Sequence, residues 1–276
     1  MYRLIKLFTL FTFMPIVYGQ QLVLTDSITL DVSDSYTFYQ ADIFNSFYFV
    51  SQKDNSLLKY DKNSNNKYIL QNFDSLKKLF IVNPLFLVVL DKFNNILDFY
   101  DDKLISTQDR ISIFSNQIIN PELIYVKNNR SLLYFDELKS ESFIQYDYRV
   151  QKDIISSNAL PHELLENYIK KDIYSSKQSK FILLKSKEFS NESNNYKIVK
   201  QNNKNVYTYD IPHLDIYGWN EQNFYWINKD FLYYYDFENA PIQIRLPMVG
   251  GKYYILNKYL FLWKSKVMYL YKIETE

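Results

Sequence analysis

Residues 47–61 read FYFVSQKDNSLLKYD: an apolar run, a short polar turn, and a second apolar run that ends in an aromatic residue and Asp. Four further segments repeat this plan, namely 85–101 (LFLVVLDKFNNILDFYD), 123–136 (LIYVKNNRSLLYFD), 224–236 (FYWINKDFLYYYD) and 260–272 (LFLWKSKVMYLYK). The starts at 47, 85 and 123 are 38 residues apart, and those at 224 and 260 are 36 apart. A period of about 40 residues with several strands per unit is typical of a β-propeller. We therefore predict an all-β fold of this architecture.

The composition agrees with a β-rich core. The 276 residues include 27 Tyr and 21 Phe but only 4 Gly. Aromatic residues favour strands, and Asn and Asp replace Gly in turns because they tolerate left-handed backbone and bond their own main chain. The chain has no Cys, which excludes disulfides, thiolate metal sites and a lipid-modified Cys. The formal net charge of +1 provides no basic field for nucleic acid, so no nucleic-acid partner is expected.

The repeat predicts six blades. After residues 1–19 the chain divides into units at 36–71, 76–108, 111–155, 160–210, 213–247 and 252–273. The last unit has only three strands, whereas residues 21–31 (QLVLTDSITLD) form a strand-like segment before the first unit. We predict that this N-terminal strand completes the last blade and closes the ring, which removes exposed sheet edges.

The fourth unit is irregular. The step from Leu123 to the next matching strand at Phe181 is 58 residues, longer than the other steps. Part of this length is the segment 160–173 (LPHELLENYIKKDI), whose apolar spacing suits one side of a short helix. A strand that begins at Tyr168 is the alternative, and the sequence leaves both open.

Residues 1–19 (MYRLIKLFTLFTFMPIVYG) predict a secretory signal peptide. Two basic residues open the segment, an apolar stretch follows at 7–17, and cleavage is expected between Gly19 and Gln20. The apolar stretch is shorter than the roughly 20 residues of a membrane span, and no later segment is a transmembrane candidate. An uncleaved N-terminal anchor is the alternative. We expect a single mature domain over 20–276, located in the periplasm, at the outer membrane or on the cell surface.

The Asp that ends most repeats invites a functional interpretation as a ring of carboxylates. We interpret it as a cap of the following turn, because its recurrence follows the repeat and not a single site. The four residues are Asp61, Asp101, Asp136 and Asp236. Residues 61–65 also begin like a calcium loop, but Asn66 stands where such a loop requires Gly and Asn72 where it requires Glu. A plain hairpin is therefore predicted there.

Few residues carry a signal for metal, cofactor or charged-ligand chemistry. The two histidines, His162 and His213, have no partner at metal-ligand spacing, and no nucleotide or nucleophile motif is present. We predict no cofactor, no metal site and no catalytic residue. The runs Lys77-Lys78 and Lys170-Lys171 are short and are interpreted as solvated surface.

The three tryptophans are the remaining candidates. Trp226 and Trp263 lie inside predicted strands and are assigned to the core. Trp219 follows Gly218 at the end of a strand, and an exposed aromatic ring there would stack on a sugar or anchor a protein partner. Trp219 is thus the one weak ligand-binding candidate, with ordinary packing as the competing interpretation.

Several features are shared with a group of bacterial proteins. They are the export segment, the composition rich in Lys, Asn, Ile, Tyr and Phe, and phrases such as residues 224–236 followed by 252–271. In overall plan the chain resembles uncharacterised exported six-bladed β-propeller proteins of Bacteroidota bacteria. The resemblance covers most of the mature chain and implies a periplasmic or cell-surface location. It carries no catalytic residues across.

The function expected from the sequence is that of a non-catalytic interaction or scaffold module of the bacterial cell envelope. Its partner would be an envelope protein or protein complex. Two alternatives stay open: a carbohydrate-binding or carbohydrate-cleaving propeller, and a periplasmic receptor for a small ligand in the channel. Acids together with exposed aromatics at one channel mouth would favour the sugar interpretations, whereas a flat apolar patch would favour a protein partner.

Overall fold

The computed structural model describes residues 21–113, 120, 123–137, 140–176, 178–187, 195–202, 205–220, 223–248 and 250–274. The predicted signal peptide, with its cleavage point between Gly19 and Gln20, lies outside these residues. The described residues form 24 strands and one short helix. None of the described helices has the length and apolar character needed to cross a membrane.

Six four-stranded antiparallel sheets form the blades. The strands are numbered in chain order, and β1 (Gln21–Thr29) precedes the first blade. Blade 1 contains β2 (Thr37–Ala41), β3 (Ser46–Ser51), β4 (Ser56–Asp61) and β5 (Asn66–Gln71). Blade 2 contains β6 (Lys77–Asn83), β7 (Phe86–Asp91), β8 (Ile96–Tyr100) and β9 (Ser106–Ser112). Blade 3 contains β10 (Ile124–Val126), β11 (Ser131–Asp136), β12 (Ser142–Asp147) and β13 (Lys152–Ser156).

The second half of the ring has the same plan. Blade 4 contains β14 (Tyr168–Ser175), β15 (Lys180–Ser186), β16 (Tyr196–Asn202) and β17 (Asn205–Ile211). Blade 5 contains β18 (Ile216–Asn220), β19 (Asn223–Asn228), β20 (Phe231–Tyr235) and β21 (Ile242–Arg245). Blade 6 contains β22 (Lys252–Leu256), β23 (Tyr259–Lys264) and β24 (Val267–Glu274), with β1 as its fourth strand. The fold is therefore the predicted six-bladed β-propeller.

The N-terminal strand closes the ring as predicted. β1 pairs with β24 from Gln21 opposite Glu274 to Thr29 opposite Val267, with one bulge between Leu24 and Asp26. The strand order of this sheet is β1-β24-β23-β22, so the first and last strands of the chain are hydrogen-bonded neighbours. Closure of this kind removes the free edge that β24 would otherwise present.

The core lies between blades. The described residues form six hydrophobic clusters, and each cluster joins two adjacent blades. The second strands are buried on both faces, as β3 illustrates with all six residues buried. This explains why these strands read as continuous apolar runs in the sequence instead of alternating patterns.

The predicted boundaries of the third unit were wrong. Residues 123–136 form the first and second strands of blade 3, whereas the other four repeat segments form second and third strands. Residues 111 and 112, which the prediction placed in the third unit, are the end of β9 in blade 2. The turn before β9 places Leu104 in the left-handed region, with φ 61°. Any two neighbouring strands of a blade give the same hairpin pattern, so periodicity did not distinguish the first hairpin from the second. Measured between second strands, the step from Ser131 in β11 to Lys180 in β15 is 49 residues instead of 58, so this shift accounts for part of the apparent extra length of the fourth unit.

Both interpretations of residues 160–173 are correct in part. One helical turn, α1, covers His162–Leu165 and begins after Pro161. The inner strand β14 then begins at Tyr168, as the strand alternative predicted. Leu165 is buried in the cluster between blades 3 and 4, which fixes the helical turn against the ring.

The recurring Asp residues cap turns, as predicted. Asp61 accepts a hydrogen bond from the backbone N–H of Asn63 (2.9 Å), and Asp101 accepts one from Lys103 N–H (2.9 Å). Asp236 accepts hydrogen bonds from two backbone N–H groups, and Asp136 accepts one from a serine hydroxyl. Several turns also place Asn in the left-handed region, at positions 45, 55, 65, 72, 95 and 257. The loop after Asp61 is thus a hairpin, and Asn performs the role that Gly has in most propellers.

Candidate functional site

The central channel of the ring is concave in the described structure. Its wall is built by the first strand of each blade, namely β2, β6, β10, β14, β18 and β22. We call the end where these inner strands begin the upper end, and the end where they finish the lower end. Two cavities occupy the channel region: an upper chamber of about 550 Å³ and a lower chamber of about 600 Å³.

A polar cluster lies at the boundary of the two chambers. Lys78, Asp172 and Tyr217 line both cavities, and we call these three residues the divider. Lys78 Nζ lies 3.5 Å from Asp172 Oδ1, and the Tyr217 hydroxyl donates to Asp172 Oδ2 at 3.2 Å. The divider therefore connects blades 2, 4 and 5 across the channel.

Three inner strands contain β-bulges that point extra residues toward the channel. The register shifts between Phe38 and Gln40 in β2, between Ile81 and Asn83 in β6, and between Lys170 and Asp172 in β14. The unpaired residues are Tyr39, Val82 and Lys171. A bulge bends its strand and re-aims a side chain, and bulges are enriched next to functional sites. Tyr39 and Lys171 line the upper chamber, and Val82 lines the lower one.

The upper chamber is basic. Its described lining residues include four lysines, Lys77, Lys78, Lys92 and Lys171, against two aspartates, Asp74 and Asp172. Both aspartates accept hydrogen bonds from the protein: Asp74 accepts from the Leu76 N–H at 2.9 Å, and Asp172 accepts within the divider. The four lysines outnumber the two aspartates, so the chamber has an excess of positive charge. Both carboxylates already accept hydrogen bonds from the protein.

The sequence interpretation of the lysine runs as plain surface missed this arrangement. Lys77-Lys78 stands at the start of β6 and Lys170-Lys171 in the middle of β14, and both strands are inner strands. Residues of different blades therefore converge on one axis although they are far apart in the chain. Lys170 differs from its neighbour, because its Nζ lies 3.6 Å from the carboxylate of Glu137 and it does not line the chamber.

The lower chamber is aromatic, and Trp219 belongs to its wall. The Trp219 ring stacks on Tyr174 (centroids 5.4 Å apart, planes at 2°) and contacts Phe224 (4.5 Å) and Phe181 (5.2 Å). The indole is therefore packed among neighbouring rings, and ligand binding by Trp219 stays a prediction. Its Nε1 is buried without a hydrogen-bond partner among the described residues, as is Nε2 of Gln40, and both residues line the lower chamber.

The other two tryptophans follow the prediction to different degrees. Trp226 is buried in the cluster between blades 4 and 5. Trp263 is partly buried and packs edge-on against Phe49 at 5.0 Å, at the interface of blades 6 and 1. Both act as packing between blades.

Tyrosine hydroxyls face the lower chamber from opposite blades. Burial raises the pKa of Tyr125 in β10, and neighbouring Tyr174, Tyr254 and Asp172 add to the effect. Burial likewise raises the pKa of Tyr254 in β22, with further contributions from Tyr39 and Asp42. Both phenols therefore remain neutral at physiological pH and present O–H groups to the chamber.

Exposed apolar side chains lie beside the lower mouth, in the loops of blades 1 and 2. Ile43 and Phe44, in the β2–β3 loop, are 56% and 48% exposed, and Leu85, in the β6–β7 turn, is 70% exposed. These three residues are the apolar rim. Buried Asp42 holds the first loop, because its carboxylate accepts hydrogen bonds from Phe44 N–H (2.8 Å), Ser46 N–H (2.9 Å) and the Tyr48 hydroxyl (3.2 Å). The rim is therefore held in place by hydrogen bonds to its backbone.

The described acids of both chambers have structural roles. Asp42, Asp74 and Asp172 each accept hydrogen bonds within the protein. Over the described part of the chain, no group of three or more His, Asp or Glu residues is arranged to hold a metal ion. His162 binds the Glu141 carboxylate on the outer surface, with Nδ1 2.9 Å from Oε1, and neither histidine lines a chamber.

Comparisons with known proteins identify the fold but no family. No protein-family model matches the chain, and no curated protein matches it. Among solved structures, a streptogramin B lyase matches with a TM-score of 0.52 at 11% identity, covering 93% of this chain and 98% of the other. A virginiamycin B lyase from Staphylococcus aureus matches with a TM-score of 0.50 at 9% identity, covering 93% and 100%. At such low identity the likeness shows a shared propeller fold alone.

Proposed function

We propose that this chain is an exported, non-catalytic interaction module of the bacterial cell envelope that binds a protein partner at the lower mouth of its channel. The observation that carries the proposal is the apolar rim at the mouth of an aromatic chamber of about 600 Å³. Ile43, Phe44 and Leu85 expose apolar surface to water, and covering such surface stabilises a complex by about 25 cal/mol per Å². Exposed apolar patches commonly mark protein interaction sites.

The chamber behind the rim suits one anchoring side chain of the partner. Protein interfaces derive most of their affinity from a few large side chains that fill pockets and exclude water. The lower chamber offers ring edges and neutral phenol hydroxyls such as those of Tyr125 and Tyr254. A partner residue that combines an apolar body with a polar tip matches this lining.

The hydrogen bonding of the described acids supports a non-catalytic role. Glycosidases need a pair of carboxylates about 5–10 Å apart, of which one activates the leaving group and the other acts as base or nucleophile. The described carboxylates of the chambers, Asp42, Asp74 and Asp172, are engaged in turn capping or in the divider. This arrangement supports binding over sugar cleavage.

A second candidate function is the binding of a small ligand or glycan in the lower chamber. The observation that favours it is the pair of buried donors without partners, Gln40 Nε2 and Trp219 Nε1. A ligand with acceptor oxygens that reached these donors would relieve the cost of about 1–3 kcal/mol that an unpaired buried donor carries. Such a ligand would bind to purified protein in the absence of any protein partner.

The interaction role is tested with a matched pair of surface variants. The rim variant carries Phe44→Ser and Leu85→Ser, which together remove most of the apolar rim. The control variant is Phe93→Ser, which removes an apolar side chain that is 77% exposed at the other end of β7. After cross-linking in native cell envelopes, a partner is quantified by mass spectrometry. We expect wild type and Phe93→Ser to recover one protein in stoichiometric amount, and the rim variant to recover at least tenfold less.

Three outcomes count against the proposal. Equal recovery by the rim variant would place the partner elsewhere, equal loss in both variants would indicate non-specific adhesion, and recovery of no partner would contradict the scaffold role. In the last case, binding of neutral glycans to the purified protein would favour the second candidate.

Export is tested separately by mass spectrometry of the N-terminus. We expect the mature chain to begin at Gln20, because Gly19 precedes the predicted cleavage point. A membrane-bound chain that retains residues 1–19 would instead support the uncleaved anchor.

A further inference from the structure

We propose that the upper chamber is a binding site for a small organic oxyanion, that is, a ligand whose carboxylate or phosphate group is held by the lysines. This site is separate from the lower mouth and does not depend on the protein partner proposed there. The two chambers have no described lining residues in common apart from the divider and thus differ in nearly all of their chemistry.

The first argument is the charge of the chamber. Four lysines and two aspartates line it, and the aspartates already accept hydrogen bonds. Lys77 Nζ donates to the backbone oxygen of Asn72, a neutral group, and the charge of Lys77 also acts on the carboxylate of Asp91, which does not line the chamber. A concave site with one sign of charge focuses the electrostatic field and concentrates counter-ions. An anion is therefore the favoured occupant.

The second argument is the backbone geometry. Tyr39 and Lys171 are both bulged residues, they come from blades 1 and 4, and both line this chamber. A regular strand would have no unpaired residue at position 39 or 171. Two independent bulges thus add one cationic group and one phenol to the same cavity.

The third argument is the remaining lining, which suits the organic part of such a ligand. Phe38, Val50 and Phe73 provide apolar surface, and Thr37, Gln52 and Ser75 provide hydrogen-bonding groups. The Tyr39 ring lies edge-on to Phe73, with centroids 6.1 Å apart. A volume of about 550 Å³ lies within the range of small-molecule sites. The chemistry fits a ring compound with one anionic substituent.

Calorimetric titration with three probes of similar size tests the inference. Glucuronate carries a carboxylate, glucose 6-phosphate carries a phosphate, and glucose is the neutral control. We expect at least one of the anions to bind at least about tenfold more tightly than glucose, because only an anion gains the attraction of the lysines. Raising the salt concentration from about 0.05 to 0.3 M is expected to lower the affinity for the anion about fivefold, since screening shortens the range of this attraction.

Variants locate the binding within the molecule. Lys171→Gln is expected to lower the affinity for the anion about fivefold or more. Lys103 is an exposed lysine in the β8–β9 turn at the lower end, and Lys103→Gln is expected to leave the affinity unchanged. Lys77→Gln is a second upper-chamber variant and keeps the test decisive if the first one folds poorly. The tighter of the two anions identifies the source as a carboxylate or a phosphate.

Several results would overturn the inference. These are equal binding of glucose and both anions, equal weakening by Lys103→Gln and Lys171→Gln, or no binding of either anion at millimolar concentration. The partner recovery described above uses the lower rim, so a failure here leaves that proposal standing, and the reverse also holds.

Discussion

Both chambers of this channel are lined by the inner strands β2, β6, β14 and β18, yet the upper chamber is basic and the lower chamber is aromatic. The upper chamber has four lysines and two bulged residues, whereas the lower chamber has tyrosines, Trp219 and an apolar rim. The features that recur in most repeats, such as the capping Asp and the blade-to-blade apolar runs, build the scaffold, whereas the lysines and bulged residues that distinguish the chambers do not recur. The difference teaches that candidate sites in this ring lie where single inner strands depart from the repeat.

The largest effect is expected from removing the wall of the lower chamber. Trp219→Ala deletes ring contacts to Tyr174, Phe181 and Phe224, and we expect the free energy of unfolding to fall by about 3 kcal/mol, at the lower end for a buried Trp because the side chain is only partly buried. Trp219→Phe keeps an aromatic ring and is expected to lose less than half as much. Urea unfolding followed by circular dichroism measures both. A loss below about 1 kcal/mol for the alanine variant would mean that the packing account of Trp219 is wrong.

The next effect concerns the close approach of blades 5 and 6. A Cβ on Gly218 in β18 would lie 2.8 Å from the backbone oxygen of Ile255 in β22, closer than real contacts allow. Gly218→Ala is therefore expected to cost about 1–3 kcal/mol of unfolding free energy. Gly250→Ala is the comparison, since nothing lies within 4 Å of its added Cβ and only its φ of +78° opposes the change. A Gly218 variant as stable as wild type would show that the inner strands separate easily.

The third effect concerns the ion pair of the divider, which lies between the two chambers. Lys78→Met leaves Asp172 without its cation, and we expect a loss of about 1–2 kcal/mol, moderated because both side chains keep partial contact with water. The double variant Lys78→Met with Asp172→Leu is expected to lose less than the sum of the two single variants, because it leaves no unpaired charge. Strict additivity in this double-mutant cycle would mean that the two groups do not interact.

The smallest effect is the loosening of the Asp-capped turns in acid, which we expect to be equal at both ends of the ring. Partial burial opposes ionisation of Asp91 at the upper end and of Asp61 and Asp236 at the lower end, but hydrogen bonds from the turns outweigh it and hold each pKa below the ordinary value. A lowered pKa means that the stabilisation is present above the unfolded-state pKa of about 4 and is lost as the pH falls through the folded-state value. We expect hydrogen exchange in both sets of turns to rise together below about pH 4. Loosening at one end only would contradict equal capping.

Much of the scaffold was predictable from the sequence, because each hairpin contains its own apolar runs and turn residues. The six blades, the closing strand β1 and the capping role of Asp61 all follow from local patterns. The boundaries of blade 3 did not, because the hairpin at 123–136 looks the same whether it comes first or second in a blade. Local patterns fix which strands pair, not where a blade begins.

The candidate sites were much less predictable. Lys78 and Asp172 meet across the ring although 94 positions separate them in the chain, and no local pattern encodes such a meeting. The bulges at Tyr39 and Lys171 also leave no clear mark in the apolar pattern, because one extra residue in a strand resembles ordinary variation in length. Trp219 was singled out because it follows Gly218 at the end of a strand, but its ring contacts with Tyr174 and Phe224 needed the three-dimensional structure.

The most direct test of two chemically separate chambers is a backbone amide NMR map recorded during titration with whichever of glucose 6-phosphate and glucuronate binds more tightly in calorimetry. The account predicts shifts at amides of the upper chamber, such as those of Thr37, Ser75 and Lys171, with no change at the rim residues Phe44 and Leu85. Shifts concentrated at the rim, or scattered over lysines outside the channel, would contradict it.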